Sequence, residues 1–261
     1  MIKTEKLNSN IAIQQYDADI FVVVAYGVIF PKRYLAIPQF GTINLHPSLL
    51  PKYRGASPIQ AAILAGENTT GVTIMLLDEK FDHGPILWQE VVPIEPHDTT
   101  ESLLERLANV GAKLLLATIP LYIKGTIRPQ PQDHSQASIT HRIAKEDGKI
   151  NWGKSAVDIE RMVRAFYPWP GAWTTFEYKG ATIILRILRA STVVTGRDPA
   201  RLMPDAQLQT PGMIIKLEDN TSAIVCGNRT LLQLNEVQPE GRRPMNGEAF
   251  LNGYREVVRF Q

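Results

Sequence analysis

The sequence is poor in cysteine and has no long apolar run. Its one cysteine, Cys226, cannot form a disulfide within the chain, and this scarcity favours a reducing compartment. The apolar neighbours of Cys226 predict a buried, unreactive thiol. No stretch of 18 or more apolar residues occurs, and residues 1–6 lack the apolar centre of a signal peptide. We therefore expect a soluble protein with no membrane partner, in the cytoplasm of a bacterium or inside an organelle.

The sequence also lacks a strong charge excess and the common phosphate-binding motifs. The formal net charge is +2 at pH 7. Residues 1–143 carry 12 Lys and Arg against 13 Asp and Glu, whereas residues 144–261 carry 16 against 13. This small basic excess is compatible with phosphate contacts but does not by itself indicate a nucleic acid partner. Neither a G-x-G-x-x-G nor a Walker pattern is present, so no motif supports a nucleotide cofactor.

The first half of the chain has the pattern of an α/β domain. Residues 20–25 form a continuous β-branched run, which is typical of a strand buried on both faces. Residues 41–45, 71–77 and 86–92 predict three further strands. A helix is predicted to begin at Ser57-Pro58, and leucines at helical spacing over residues 103–115 predict a long helix packed on the sheet.

A polar, proline-rich segment divides the chain. Residues 126–143 read as an interdomain connection, so we predict one domain over residues 1–125 and another over residues 144–261. The second domain begins with an amphipathic helix at residues 155–166. Five short strands follow, at residues 172–178, 182–188, 213–217, 222–226 and 231–237. Short strands bounded by Gly, Asn and Asp favour a small β barrel or sandwich.

Two polar residues lie at the end of the second predicted strand. Asn44 and His46 lie two residues apart, so both point to the same side of a strand, immediately before the loop Pro47-Ser48-Leu49-Leu50-Pro51. A carboxamide donor beside a titratable ring suits acyl-type chemistry, which must hold an oxyanion and move a proton. Asp82 follows the next predicted strand. Because ligands bind beyond the carboxyl ends of strands in open α/β sheets, we expect these three side chains to share one site.

Two other interpretations of these residues remain open. Asp82 precedes His83-Gly84-Pro85 and would also suit a tight turn. A metal site would use His46, Asp82 and His83, but adjacent residues rarely converge on one ion. The other histidines, His97, His134 and His141, lie among polar residues and are predicted to be surface residues.

These segments together resemble the folate-dependent formyltransferases. The resemblance covers nearly the whole chain and continues through residues 145–152 and through Pro168-Trp169-Pro170-Gly171-Ala172. It implies a Rossmann-like formyltransferase domain followed by a small OB-like β barrel. The motifs at residues 57–60, at residues 145–152 and at Trp169 favour the branch whose acceptor is methionyl initiator tRNA. About the first sixty residues of the family pattern have no counterpart, so we expect the first domain to be incomplete at its N-terminus.

The resemblance also implies roles for individual residues. The co-substrate would be 10-formyltetrahydrofolate, with no metal. Asn44 would donate a hydrogen bond to the oxyanion, and His46 would be a charged partner or a proton shuttle. Asp82 would orient His46 and take up the proton of the attacking amine. The folate would be bound by Tyr26, Gly27, Ser48, Leu49, Leu50, Pro51 and Asp78.

Three further functions remain open at this point. The acceptor could be an amino sugar nucleotide, or water in a formyl-folate hydrolase, since the same three residues permit both reactions. The chain could also be a truncated, inactive relative that retains only nucleic-acid binding through residues 144–261. For each of them we expect a monomer.

Overall fold

The computed structural model describes residues 16–27, 29–193, 210–217, 219 and 221–261. The chain forms two compact units. The first comprises the residues up to Ala62, then Asn68–Ile94 and Leu104–Arg142. The second comprises Ile63–Glu67, Glu95–Leu103 and Ile143–Gln261.

A four-stranded sheet of mixed direction organises the first unit. The elements run in the order β1 (Phe21–Val24), α1 (Lys32–Leu35), β2 (Thr42–His46), β3 (Arg54–Gly55), α2 (Pro58–Ala65), β4 (Thr69–Leu76), β5 (Ile86–Pro93), α3 (Thr100–Ile123) and β6 (Ile139–Thr140). The sheet order is β1-β2-β4-β5. β1 runs parallel to β2, whereas β4 is antiparallel to both of its neighbours. The four predicted strands and both predicted helices are confirmed.

The prediction that the first strand is buried on both faces is wrong. Val22 and Val24 are 44% and 52% exposed. β1 is an edge strand of the sheet, with β2 as its one neighbour among the described residues. Its β-branched residues fit a strand by their backbone preference, and that preference does not require both faces to be covered.

The long helix α3 packs along one face of the sheet. Its buried residues include Leu107 and Leu114. A Cβ built on Gly111 would lie 2.8 Å from the Leu45 side chain and 3.2 Å from that of Val72, so the small residue permits close approach to β2 and β4. By length and composition α3 also meets the criteria for a membrane-spanning helix, with a mean hydropathy of 1.2. That is weak evidence, because core helices of soluble proteins meet the same criteria.

The polar segment after α3 belongs to the first unit and pairs with other parts of it. Gln130 and Ile86 exchange two backbone hydrogen bonds of 2.8 Å. β6 then pairs in parallel with the two-residue strand β3. This segment therefore reaches back to the loop that follows His46, a contact that its composition does not indicate.

A curled antiparallel sheet forms the second unit. Its elements are α4 (Ala156–Ala165), β7 (Ala172–Tyr178), β8 (Ala181–Thr192), β9 (Ile214–Lys216), β10 (Ser222–Val225), β11 (Leu231–Pro239), β12 (Met245–Asn246) and α5 (Gly247–Gly253). The sheet order is β7-β8-β11-β10-β9, and β12 pairs with β11. The predicted helix and all five predicted strands are confirmed.

The C-terminal tail joins the two edges of this sheet. Ile214 of β9 donates a backbone hydrogen bond to Val258, and Gln261 donates one to Thr175 of β7. The predicted barrel is therefore closed through the tail rather than by direct pairing of β7 with β9. Phe176, Phe250 and Phe260 are fully buried at its centre. Cys226 is also buried, and burial raises the pKa of its thiol to about 12, as predicted for an unreactive cysteine.

Candidate active site

Asn44 and His46 share one face of β2, as their spacing predicts. Both are largely buried, with exposures of 9% and 4%. Leu45, between them, points to the opposite face, where it meets α3. Helix α3 thus packs on the apolar face of the sheet, and the candidate site lies on the opposite, polar face.

The hydrogen bonding of His46 determines which of its nitrogens carries a proton. Nε2 lies 2.9 Å from the backbone carbonyl oxygen of Tyr53. A carbonyl oxygen only accepts, so Nε2 must be protonated and donate. The remaining nitrogen, Nδ1, is the atom that can gain or lose a proton, and it faces Asp82.

Asp82 is held beside both of these side chains. Its Oδ2 accepts a 2.8 Å hydrogen bond from the backbone N–H of Gly55. Its Oδ1 lies 3.5 Å from Asn44 Nδ2 and 3.6 Å from His46 Nδ1. These two distances are longer than a good hydrogen bond and lie within ion-pair range. The structure therefore brings the three predicted catalytic residues to one point.

Asp82 follows the carboxyl end of β4, as predicted, but this end of β4 lies beside the start of β2 rather than its carboxyl end. β4 is antiparallel to β2, so Asp82 belongs to the loop joining β4 to β5, which begins where Leu77 N donates to Thr42 O. That position lies at the start of β2. The loop folds back toward Asn44, and Asp82 adopts a left-handed backbone conformation with φ of 45°.

Gln132, which sequence reasoning missed, supports this loop together with Arg54 and His134. Gln132 is buried and donates from Nε2 to the carbonyl oxygens of Asp82 and Gly84, at 2.9 Å and 2.7 Å. Its Oε1 accepts two hydrogen bonds from Arg54, at 2.6 Å and 3.1 Å. Arg54 Nη2 also lies 2.8 Å from His134 Nδ1. No local signal marks Gln132, because it lies 78 positions from Arg54 and 50 positions from Asp82 in the sequence.

The neighbouring histidine pairs with another acid. His83 Nδ1 lies 2.6 Å from Asp78 Oδ2, and the His83 ring stacks on His134 with centroids 4.0 Å apart. His134 is exposed as predicted, but it is not without partners. Within the described part of the chain, no group of three or more His, Cys, Asp and Glu residues is placed to hold a metal ion.

The backbone groups of the loop after β2 are bound by side chains of β4 and β5. Thr73 Oγ1 donates to Ser48 O at 2.6 Å and accepts from Leu50 N at 3.1 Å. Gln89 Nε2 donates to Leu50 O at 2.9 Å. Ser48 and Leu50 are buried, whereas Leu49 and Pro51 are partly accessible.

The remaining predicted folate residues lie near the same end of the sheet. Tyr26 and Gly27 follow β1, whose last residue Val24 pairs with Leu45. The parallel pairing puts this segment beside the carboxyl end of β2. Tyr26 is half-buried and its ring lies 5.2 Å from that of Phe30.

The arrangement combines an amide N–H donor, an imidazole and a carboxylate in a largely buried position. Such a set can stabilise a developing oxyanion and accept a proton from a nucleophile without a metal ion.

Sequence comparisons agree with this chemistry. Residues 4–119 match the family described as formyl transferase, and residues 142–255 match the formyl transferase C-terminal domain.

A curated relative decides the family. The chain is 46% identical to the methionyl-tRNA formyltransferase of Chloroflexus aurantiacus over 235 residues, which is 90% of this chain and 71% of the relative. The chain belongs to the methionyl-tRNA formyltransferase family. This confirms the resemblance read from the motifs, the enzyme class, and the fold of a formyltransferase domain followed by its C-terminal domain.

Solved structures of more distant proteins share the fold. HypX from Aquifex aeolicus in complex with tetrahydrofolic acid is 17% identical, with a TM-score of 0.61, covering 92% of this chain and 39% of that one. WlaRD, a sugar 3N-formyl transferase in the presence of dTDP and 5-N-formyl-THF, is 21% identical, with a TM-score of 0.60, covering 86% and 73%. This chain therefore shares its fold with HypX and with a sugar 3N-formyl transferase.

Proposed function

We propose that this chain transfers a formyl group from 10-formyltetrahydrofolate to the α-amino group of methionine on initiator tRNA. One observation carries the proposal. Asn44, His46 and Asp82 converge on a buried point, in a chain that is 46% identical to a protein named methionyl-tRNA formyltransferase. The folate ligands of two structural relatives support the folate co-substrate.

The proposed reaction uses each of the three residues once. The amine nitrogen attacks the formyl carbon, a carbon–nitrogen bond forms, and the carbonyl oxygen becomes an oxyanion. Asn44 donates one N–H to that oxygen, and His46, when protonated, adds a positive charge. Asp82 relays the proton from the amine to folate N10, directly or through a water. The oxyanion collapses at the same time, and the bond between the formyl carbon and N10 breaks.

The folate side of the site is proposed to include both contact and support residues. Tyr26, Gly27, Leu49, Pro51 and Asp78 would contact the folate. Ser48 and Leu50 would shape the loop instead, because their backbone groups are already bound to Thr73, Gln89 and His46.

The proposed domain arrangement follows the family matches. Residues 1–125 would carry the formyl transfer chemistry, residues 126–143 would connect the domains, and residues 144–261 would form the OB-like barrel that contacts the tRNA. Such barrels bind nucleic acid through basic grooves and aromatic side chains. We propose a monomer that acts in the cytoplasm, with no metal and no membrane partner.

A formylation assay tests the function directly. The full chain would be incubated with labelled 10-formyltetrahydrofolate and one of three acceptors: methionyl initiator tRNA, an amino sugar nucleotide, or buffer alone. We expect label in the tRNA fraction only. Label in the sugar would show that the acceptor is wrong, and formate released in buffer would indicate a hydrolase. No transfer and no hydrolysis would favour the inactive relative.

A further inference from the structure

We infer that Gln132, anchored by Arg54, is a positioning residue that fixes Asp82 for proton transfer. The inference rests on the proposed function, because it assumes that Asp82 takes the proton. It concerns a residue in the polar segment after α3, outside the three residues that converge on the site.

The side-chain amide of Gln132 has one orientation that satisfies its surroundings. Arg54 offers two N–H donors, so the group facing it must be the amide oxygen. Asp82 and Gly84 offer two carbonyl oxygens, so the group facing them must be the NH2. All four contacts are thus hydrogen bonds, and the residue is 6% exposed. A buried polar group with complete hydrogen bonding is a rigid connection.

Arg54 and its neighbour hold Asp82 from two directions. Arg54 anchors Gln132, which binds the backbone carbonyl of Asp82. The next residue, Gly55, donates its N–H to the Asp82 carboxylate. Both attachments start from the short strand β3, which is itself paired with β6. The backbone and the carboxylate of Asp82 are therefore both held in place by residues of the same short strand, β3.

Asp82 needs these attachments because its catalytic partners hold it weakly. The distances to Asn44 and His46 are 3.5 Å and 3.6 Å, longer than the 2.8 Å bond from Gly55. Its left-handed φ of 45° is also an unfavourable conformation for a residue with a side chain. Loss of the Gln132 contacts would let the loop relax and move the carboxylate. A displacement of about 1 Å can lower a rate by on the order of 100-fold.

Two substitutions separate the parts of this contact. Gln132→Met keeps the side-chain length and removes all four hydrogen bonds. Gln132→Glu keeps the acceptor for Arg54 but places a carboxylate against two carbonyl oxygens. The matched control is Gln130→Met, since Gln130 lies in the same segment with an exposed side chain that donates to Arg128 O. Circular dichroism and thermal unfolding identify the variants that fold. If Gln132→Met does not fold, Gln132→Glu alone tests the inference.

We expect kcat for the acceptor that the wild type uses to fall by roughly 10- to 100-fold in both Gln132 variants. KM for the formyl folate should stay within about twofold, and Gln130→Met should be unchanged. In an Asp82→Asn background, Gln132→Met should lower the residual rate by less than about twofold, because residues that act as a unit are not additive. An equal loss in both backgrounds, or a wild-type rate in both Gln132 variants, would overturn the inference.

Crystal structures of the variants provide a readout that does not depend on activity. In Gln132→Met and Gln132→Glu the bond from Gly55 N to Asp82 Oδ2 should break or lengthen, while Gln130→Met should keep it. If the wild type transfers no formyl group to any acceptor, the proposed function fails and this comparison still decides whether Gln132 positions Asp82. An unchanged Asp82 in both Gln132 variants would refute it.

Discussion

Asp82 Oδ1 lies 3.6 Å from His46 Nδ1, on the opposite side of the ring from the 2.9 Å hydrogen bond between Nε2 and Tyr53 O. The carbonyl fixes the imidazole plane and its Nε2 proton. The carboxylate therefore faces the one ring nitrogen whose proton can change. The pair is arranged to act as a unit, with His46 held by β2 and its loop and Asp82 held by β3.

Single substitutions of this pair should abolish most of the turnover. We expect His46→Ala and Asp82→Asn each to lower kcat by about 100-fold or more while the protein remains folded. The double variant should be no more than a few-fold slower than the worse single variant. Formylation rates and thermal unfolding of the three variants measure this.

The exposed Asp17 supplies the control for this pair. Asp17→Asn changes the same charge away from the site and should keep the wild-type rate. Full activity in either His46→Ala or Asp82→Asn would exclude the mechanism, and so would inhibition by a metal chelator.

Gly55 should tolerate no side chain. A Cβ at this position would lie 2.4 Å from the carbonyl oxygen of Thr140, and its φ is 101°. Gly55→Ala must therefore separate β3 from β6 and weaken the bond to Asp82. We expect a loss of roughly 2 kcal/mol or more in unfolding free energy and a large fall in kcat.

Gly125→Ala is the matched control for Gly55→Ala. Gly125 also has a left-handed φ, 73°, but no atom lies within 4 Å of its built Cβ. Backbone strain alone should cost on the order of 1 kcal/mol there, with unchanged kcat. Equal effects of the two substitutions in urea denaturation would show that contact with Thr140 is unimportant.

The fold and the central site follow from local patterns in the sequence. Asn44 and His46 could be assigned to one face because a strand alternates, and the β-branched and alternating runs located the strands of both units. The exposure of Val22 and Val24 does not follow from the β-branched run, because propensity reports a preference for extended backbone and not the number of covering layers.

The supports of the site required tertiary information. Gln132 lies in a Pro-Gln-Pro-Gln run that reads as a linker, and its partners Arg54 and Asp82 are 78 and 50 positions away. The direction of β4 was equally hidden, since a buried strand has the same composition in parallel and antiparallel pairing. These features depend on which segments of the chain contact one another in the fold, and local patterns in a single sequence do not predict those contacts.

His134 should have a lower pKa in the folded protein than in the unfolded chain. Partial desolvation by its neighbours, then the positive charges of His83 and Arg54, lower the pKa of His134 below its usual 6.5. The unfolded chain then takes up this proton first as pH falls. This group therefore stabilises the fold above pH 6.5, and the contribution is lost as pH falls through the range below it. An NMR titration should give a pKa below 6.5 for His134 in the folded protein and near 6.5 in urea; equal values would contradict the contact with Arg54.

Thr73 should be the residue on which the loop after β2 depends. Its hydroxyl donates to Ser48 O and accepts from Leu50 N and Gln89 Nε2, and the residue is completely buried. Thr73→Val leaves these groups without their partner, at a cost of roughly 1–3 kcal/mol for each group that stays unpaired. We expect a lower unfolding free energy and a raised KM for the formyl folate, because the loop carries proposed folate contacts.

Thr70, in the same strand, offers the opposite case. It is 3% exposed, and its hydroxyl has no hydrogen-bond partner in the described part of the structure. Thr70→Val replaces an unsatisfied buried hydroxyl with a methyl group, so it should leave stability within about 0.5 kcal/mol or raise it. Urea denaturation of both variants, with folate KM measured alongside, compares the same substitution at two buried positions of β4. If Thr70→Val destabilised the protein as much as Thr73→Val, the loss would come from the shape of valine and not from the hydrogen bonds of Thr73.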